Sequence, residues 1–174
     1  MDLSNCCFSF AYLDKTKLNG LLIENEGIFD KYPELEVGFM NAKLNNCELC
    51  GVDSRYTDFS NAEIKNASMK GSRFYHAKLI NADLSGSDLT GAVFEQADLK
   101  WAILRCVILC NTDFSKSDLR GADLRGIEFA SHEDLKSFKG AIYNDDPTQN
   151  RLITKFPEDF DPKTVGMILD NSPY

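Results

Sequence analysis

The chain has 174 residues, 43% hydrophobic and 26% charged, with 27 acids against 19 Lys and Arg and a formal charge of −8. This describes one soluble domain with enough apolar mass for a core; no basic stripe invites nucleic acid, and no apolar run approaches the roughly 18 to 20 residues that cross a bilayer. The start, MDLSNCCFSF, lacks the basic region of a secretory signal. The expectation is a cytoplasmic protein, with a lumenal or periplasmic site open should a targeting segment have been removed.

In chain order, Leu3, Phe8, Leu13, Leu18 and Ile23 are spaced by five, with Cys6, Ala11 and Thr16 two residues before Phe8, Leu13 and Leu18. The beat then stops at ENEGIFDKYPELEVG, residues 24–38, which reads as an insertion looping off the body. From Phe39 to Phe129 every fifth residue is large and apolar, nineteen positions with one break at Ser54. A small residue, most often Ala, lies two positions before most of them, as in Ala62, Ala82 and Ala102. A period of five fits neither the 3.6 of a helix nor the 2 of a strand.

A solenoid satisfies that beat. Each pentapeptide makes one side of a coil, its large and small residues point to the axis, and stacking buries what one coil cannot. The residue two past each large one then needs corner geometry, and twelve of these eighteen between Asn41 and Gly126 are Gly or Asn, which tolerate positive φ. Tyr56, His76, Gln96, Trp101, Cys106 and Lys116 are the exceptions.

The runs NADLSGSDLTGAVFEQADL and SDLRGADLRG carry the pattern A(D/N)LXX, and the chain resembles the pentapeptide-repeat family. The resemblance implies an all-β fold, a right-handed quadrilateral parallel β-helix with four pentapeptides per coil. The end GAIYNDDPTQNRLITKFPEDFDPKTVGM is similar to the tail of cyanobacterial-type members, whose roles are mostly unassigned, and implies a last repeat at Ala141 and Tyr143. One domain, 1–174, is expected: N-terminal repeats 1–23, insertion 24–38, main coil 39–129, and a cap, last repeat and tail over 130–174.

Two short helices are expected in that cap. Ser131 and Asp134 have the spacing of a capping box before a stop at Gly140, and Asp161 followed by Pro162 reads as an N-cap opening a helix through Met167.

Chemistry is sparse. His76 and His132 pair with no nucleophile or carboxylate, the glycines recur once per repeat and form no phosphate loop, and a filled coil has no converging site. No enzyme activity and no cofactor or metal is expected. Cys47 and Cys50 have a C-x-x-C spacing, but in register Cys47 points in and Cys50 out, which disfavours chelation. A local disulfide between them is the minor alternative, for an oxidising compartment.

The candidate interaction patch is the stretch WAILRCVILC, residues 101–110. In register Trp101, Ile103, Arg105, Cys106 and Ile108 point outward, joined by Val93, and Val93, Ile103 and Ile108 stand where other repeats mostly place Asp, Glu, Lys, Ser or Arg. Exposed apolar surface marks a contact. The alternatives are a cover by the insertion or the tail, and scattered apolar residues with no role. The expected function is a non-enzymatic scaffold for an unidentified protein partner, monomeric or a weak homo-oligomer, without nucleic acid or membrane binding. The alternative is a DNA mimic that binds DNA gyrase, as some pentapeptide-repeat proteins do. Against it, residues 39–129 hold twelve acids and eleven bases, so the excess negative charge lies at the ends.

Overall fold

The computed structural model describes residues 38–127, 129, 134, 137–146 and 153–172. The N-terminal repeats 1–23 and residues 24–37 of the insertion lie outside the described residues.

Residues twenty apart pair in parallel bridges, from Gly38 with Asp58 and Lys43 with Glu63 through to Ile103 with Asp123. A step of twenty against a beat of five makes four sides per coil. The first face carries Asp58, Lys78, Asp98 and Asp118 as its outward column, and the second Lys43, Glu63, Asp83, Ile103 and Asp123. The third carries Glu48, Ser68, Asp88 and Ile108, and the fourth Asp53, Arg73, Val93 and Asp113.

Each outward residue donates to the coil before it and the large residue after it donates to the coil beyond: Asp83 N–H to Ala62 O at 2.9 Å, Leu84 N–H to Ile103 O at 2.8 Å. Every coil is thereby tied to both neighbours, and the backbone demand of an extended chain is met without a conventional sheet. Gly38, the last residue of the expected insertion, already belongs to this ladder. Its φ of 140° and the Asp58 carbonyl against its Cα leave no room for a side chain.

The core follows the beat. Phe39, Leu44, Ile64, Leu84, Leu104 and Leu119 are among the large residues within 1% of full burial, and Ala42, Ala62, Ala82 and Ala102 fill the small slots. On the fourth face Phe74, Phe94, Phe114 and Phe138 stack with centroids 4.9, 5.1 and 5.3 Å apart. Ser54, the break in the beat, stands where this ladder would continue. Phe39 and Phe59 stack on the first face at 5.0 Å, and Phe59 meets Phe74 edge-on at 5.5 Å, so aromatic volume shifts from one side to the next.

All eighteen corner residues, the six exceptions included, have φ between 52° and 76°. Four of the exceptions, Tyr56, His76, Gln96 and Lys116, occupy one edge, between the fourth and first faces. A side chain in this region costs roughly 1 kcal/mol or more. Mutual contacts offset that here: Tyr56 stacks on His76 at 5.2 Å, Gln96 Nε2 donates to the Tyr75 hydroxyl at 3.0 Å, and Lys116 pairs with Glu95 at 2.9 Å.

The C-terminal end departs from expectation. Ser131 of the expected capping box lies outside the described residues; Asp134 is helical and Ser137–Gly140 turns, and Phe138 joins the ladder twenty-four residues past Phe114 instead of twenty. The helix expected from Asp161 is one turn: Asp161 accepts from Lys163 N–H at 3.0 Å, and Met167 N–H closes on Pro162 O at 3.1 Å. Gly166, at φ 77°, stops it because Met167 must enter the core and Ile168 must join the stack.

Strand β1, Ile142–Tyr143, continues the first face above Asp118, and β2, Ile168–Leu169, pairs parallel with it. Lys155 continues the second face above Asp123. Aromatic rings close the open end, with Phe160 against Phe129 at 5.3 Å, Phe138 at 5.7 Å and Phe156 at 5.1 Å. Among the described residues no helix is long and apolar enough to cross a membrane.

Candidate functional site

Asp at the outward position has a structural task. In seven repeats its carboxylate accepts the backbone N–H two residues on, as in Asp58 to Ser60 at 2.7 Å, Asp83 to Ser85 at 3.0 Å and Asp113 to Ser115 at 2.8 Å. This Asx-turn bends the chain into the corner that follows. Val93, Ile103 and Ile108 forgo that bond and present an alkyl group instead.

The structure separates these three. Ile103 is on the second face and Ile108 on the third, with the Cys106 corner between them, whereas Val93 is on the fourth, across the coil from Ile103. Ile103 is 36% and Ile108 53% exposed, and Arg105 and Cys106 are exposed, while Val93 and Trp101 are half-buried. Ile103, Arg105, Cys106 and Ile108 thus share one edge of the solenoid. Trp101 occupies the neighbouring edge at φ 58°.

Cys47 and Cys50 do not form the local disulfide. Cys47 is buried in the small slot, whereas the Cys50 thiol lies 3.1 Å from the Ser68 hydroxyl on the next coil. Cys106 and Cys110 are exposed thiols. Among the described residues no His, Cys, Asp and Glu group could hold a metal ion.

The faces are laced with ion pairs. Lys65 reaches Asp83 at 3.3 Å, Lys70 reaches Asp88 at 3.0 Å, and Lys100 lies 2.9 Å from Asp98. The tightest cluster adjoins the Ile103 edge. Asp123, 7% exposed, accepts from Arg105 Nε at 2.7 Å and from Arg125 Nε and Nη2 at 2.9 and 2.8 Å. Burial pushes the Asp123 pKa up, but the hydrogen bonds from Arg125 and Arg105 outweigh it and hold the carboxyl well below the usual carboxylate range.

A group so depressed stabilises the fold fully above the unfolded value near about pH 4, and that contribution fades as pH falls toward the folded value. Asp123→Asn should therefore cost about 2 kcal/mol in urea melts at neutral pH. The gap to wild type should narrow in strong acid. A gap independent of pH would mean that ionisation at Asp123 plays no part.

A four-sided coil of stacked five-residue sides, with large and small residues filling its axis, defines a β-solenoid. The Pentapeptide repeats family matches residues 39–74, 57–96, 67–105 and 92–129 as eight copies, and the chain belongs to it. Members form right-handed quadrilateral β-helices.

Among solved structures, a pentapeptide repeat protein from the Arabidopsis thaliana thylakoid lumen is similar at 24% identity, over 61% of this chain and 68% of that one, with a TM-score of 0.50. A pentapeptide repeat protein from the cyanobacterium Cyanothece is 20% identical over 73% and 86%, with a TM-score of 0.36. The plasmid-mediated fluoroquinolone resistance protein QnrB1 is 19% identical over 98% and 78%, with a TM-score of 0.41. Nothing among curated proteins matches the chain.

Proposed function

We propose that this protein is a non-enzymatic interaction scaffold that docks a partner protein along the edge between its second and third faces. The observation that carries this reading is the pair Ile103 and Ile108, which replace corner-forming carboxylates with exposed alkyl groups on both sides of one corner. Burial of the coil does not call for them, because both point away from a core that Leu104 and Leu109 already fill. The DNA-mimic alternative, a gyrase-binding regulator, has less support: mimicry needs unneutralised anionic faces, and carboxylates on these faces are paired with Lys and Arg.

The test is the double substitution Ile103→Lys with Ile108→Glu. At exposed positions it should change stability by less than about 1 kcal/mol while stripping the proteins that crosslink to wild type in its native host. Retention of every crosslinked partner by a stably folded variant would sink the reading. A loss of about 1 to 3 kcal/mol would instead mean that chain covers the two isoleucines.

A further inference from the structure

The Ile103–Ile108 edge continues toward the C-terminal end into a concave feature. An open depression of about 620 Å³ is lined by Arg125, Gly126, Ile127, Phe156, Pro157 and Glu158. Gly126 joins the two. It occupies the same corner column as Cys106 one coil further on, and a β-carbon on it would come 2.7 Å from the Cys106 thiol. Edge and depression therefore form one track, with alkyl and aromatic side chains along it and a floor without side chain at Gly126.

Charge along this track is unbalanced in a specific way. Arg105 and Arg125 both grip the single Asp123 carboxylate, through Nε and Nη2 in each case, and both remain about half exposed. Neither Nη1 finds an acceptor among the described residues. Two guanidiniums on one carboxylate leave this cluster with one positive charge in excess, and among the described neighbours Glu158 in the depression's lining and Lys155 above Asp123 offset each other. A planar guanidinium with a spare N–H edge favours a carboxylate over a neutral acceptor. The neighbouring cations Lys65 and Lys70 are already paired with Asp83 and Asp88.

We propose that this track receives an extended acidic segment of a partner protein, an apolar side chain of which enters the depression beside Phe156 and Pro157 while a carboxylate pairs with Arg105 and Arg125. The proposal rests on the scaffold reading and assigns the chemistry of its partner. One local positive charge bordered by Glu158 suits a single carboxylate next to an apolar anchor. It does not suit a polyanion such as a nucleic acid, which needs a basic stripe.

Fluorescence polarisation with three synthetic peptide pools tests this. Each pool has a fixed Leu or Phe in a short random frame, flanked by Asp and Glu in the first, by Asn and Gln in the second and by Lys in the third. The full chain should bind the acidic pool at least about tenfold more tightly than the amide pool, and the preference should shrink as salt rises. Arg125→Gln should reduce acidic-pool affinity about tenfold and leave amide-pool binding unchanged, whereas Arg73→Gln, on the fourth face, should change neither.

Equal binding of all three pools, no binding of the acidic pool, or an Arg125→Gln protein that folds and keeps the preference would each overturn the proposal. Should the acidic pool fail while the Ile103 and Ile108 double variant still loses its native partners, the scaffold reading survives and only the assigned partner chemistry falls.

Discussion

Leu84→Asp should leave the domain unfolded at neutral pH, while Asp83→Ala, one residue earlier, should fold with a loss of about 1 kcal/mol or less. Leu84 has no exposed surface and is held in the ladder by its N–H to Ile103 O at 2.8 Å. Replacing it removes roughly 1.5 to 3 kcal/mol of apolar burial and places a carboxylate where no cation can follow, a combined loss comparable to the whole stability of a domain. Asp83 points to solvent. Its loss removes the bonds from the Ser85 N–H at 3.0 Å and the Ser85 hydroxyl, and a partly exposed ion pair with Lys65 at 3.3 Å, each a modest term. Circular dichroism with urea melts checks the pair, and similar destabilisation by both would overturn the inward and outward alternation.

Phe94→Ala should cost about 3 to 5 kcal/mol, the range for emptying a buried aromatic site. Phe94 is fully buried between Phe74 at 4.9 Å and Phe114 at 5.1 Å. The backbone rungs above and below are hydrogen-bonded on both sides, Phe94 N–H to Asp113 O at 2.6 Å and Phe74 N–H to Val93 O at 2.7 Å. The coil therefore has little freedom to collapse into the gap, and the cost should lie toward the upper end. A loss below about 1 kcal/mol in urea melts would mean that the ladder rings do not carry the core.

The two experiments address the same architecture from different sides. The Leu84 pair asks whether the five-residue register assigns inside and outside correctly. Phe94 asks whether the stacked coils behave as a rigid column or as a deformable one. A column that resists collapse is also what a docking edge needs, because Ile103, Ile108 and the two arginines present a fixed pattern only if the coils beneath them hold still.

Much of this protein was determined by the sequence itself. A beat of five over nearly twenty repeats leaves one arrangement in which every large residue is buried, so the positions of Leu84, Leu104 and Ala102 inside and Asp83 and Ile103 outside follow from counting. Corner positions follow too, because Gly and Asn recur where φ is positive, and even Tyr56 and Lys116 adopt the conformation that their place in the register demands. The exposure of Ile103 and Ile108 was legible for the same reason.

What only the tertiary structure decided lies where the beat is broken or where residues meet across coils. Counting by fives could not show that Phe138 joins the aromatic ladder after a step of twenty-four, nor that Asp161–Met167 stops after one turn so that β2 can pair with β1. Such choices depend on which contacts complete the open end, and those are made by residues far apart in sequence. Val93 is outward and apolar like Ile103, but ten residues are two sides of a four-sided coil, so counting alone already puts it across the coil from the Ile103 edge. The Arg105–Asp123–Arg125 cluster joins residues eighteen and two apart, and the depression by Phe156 and Pro157 opens beside it. A local pattern specifies direction from the axis; which outward side chains become neighbours is set by stacking and by the path of the tail.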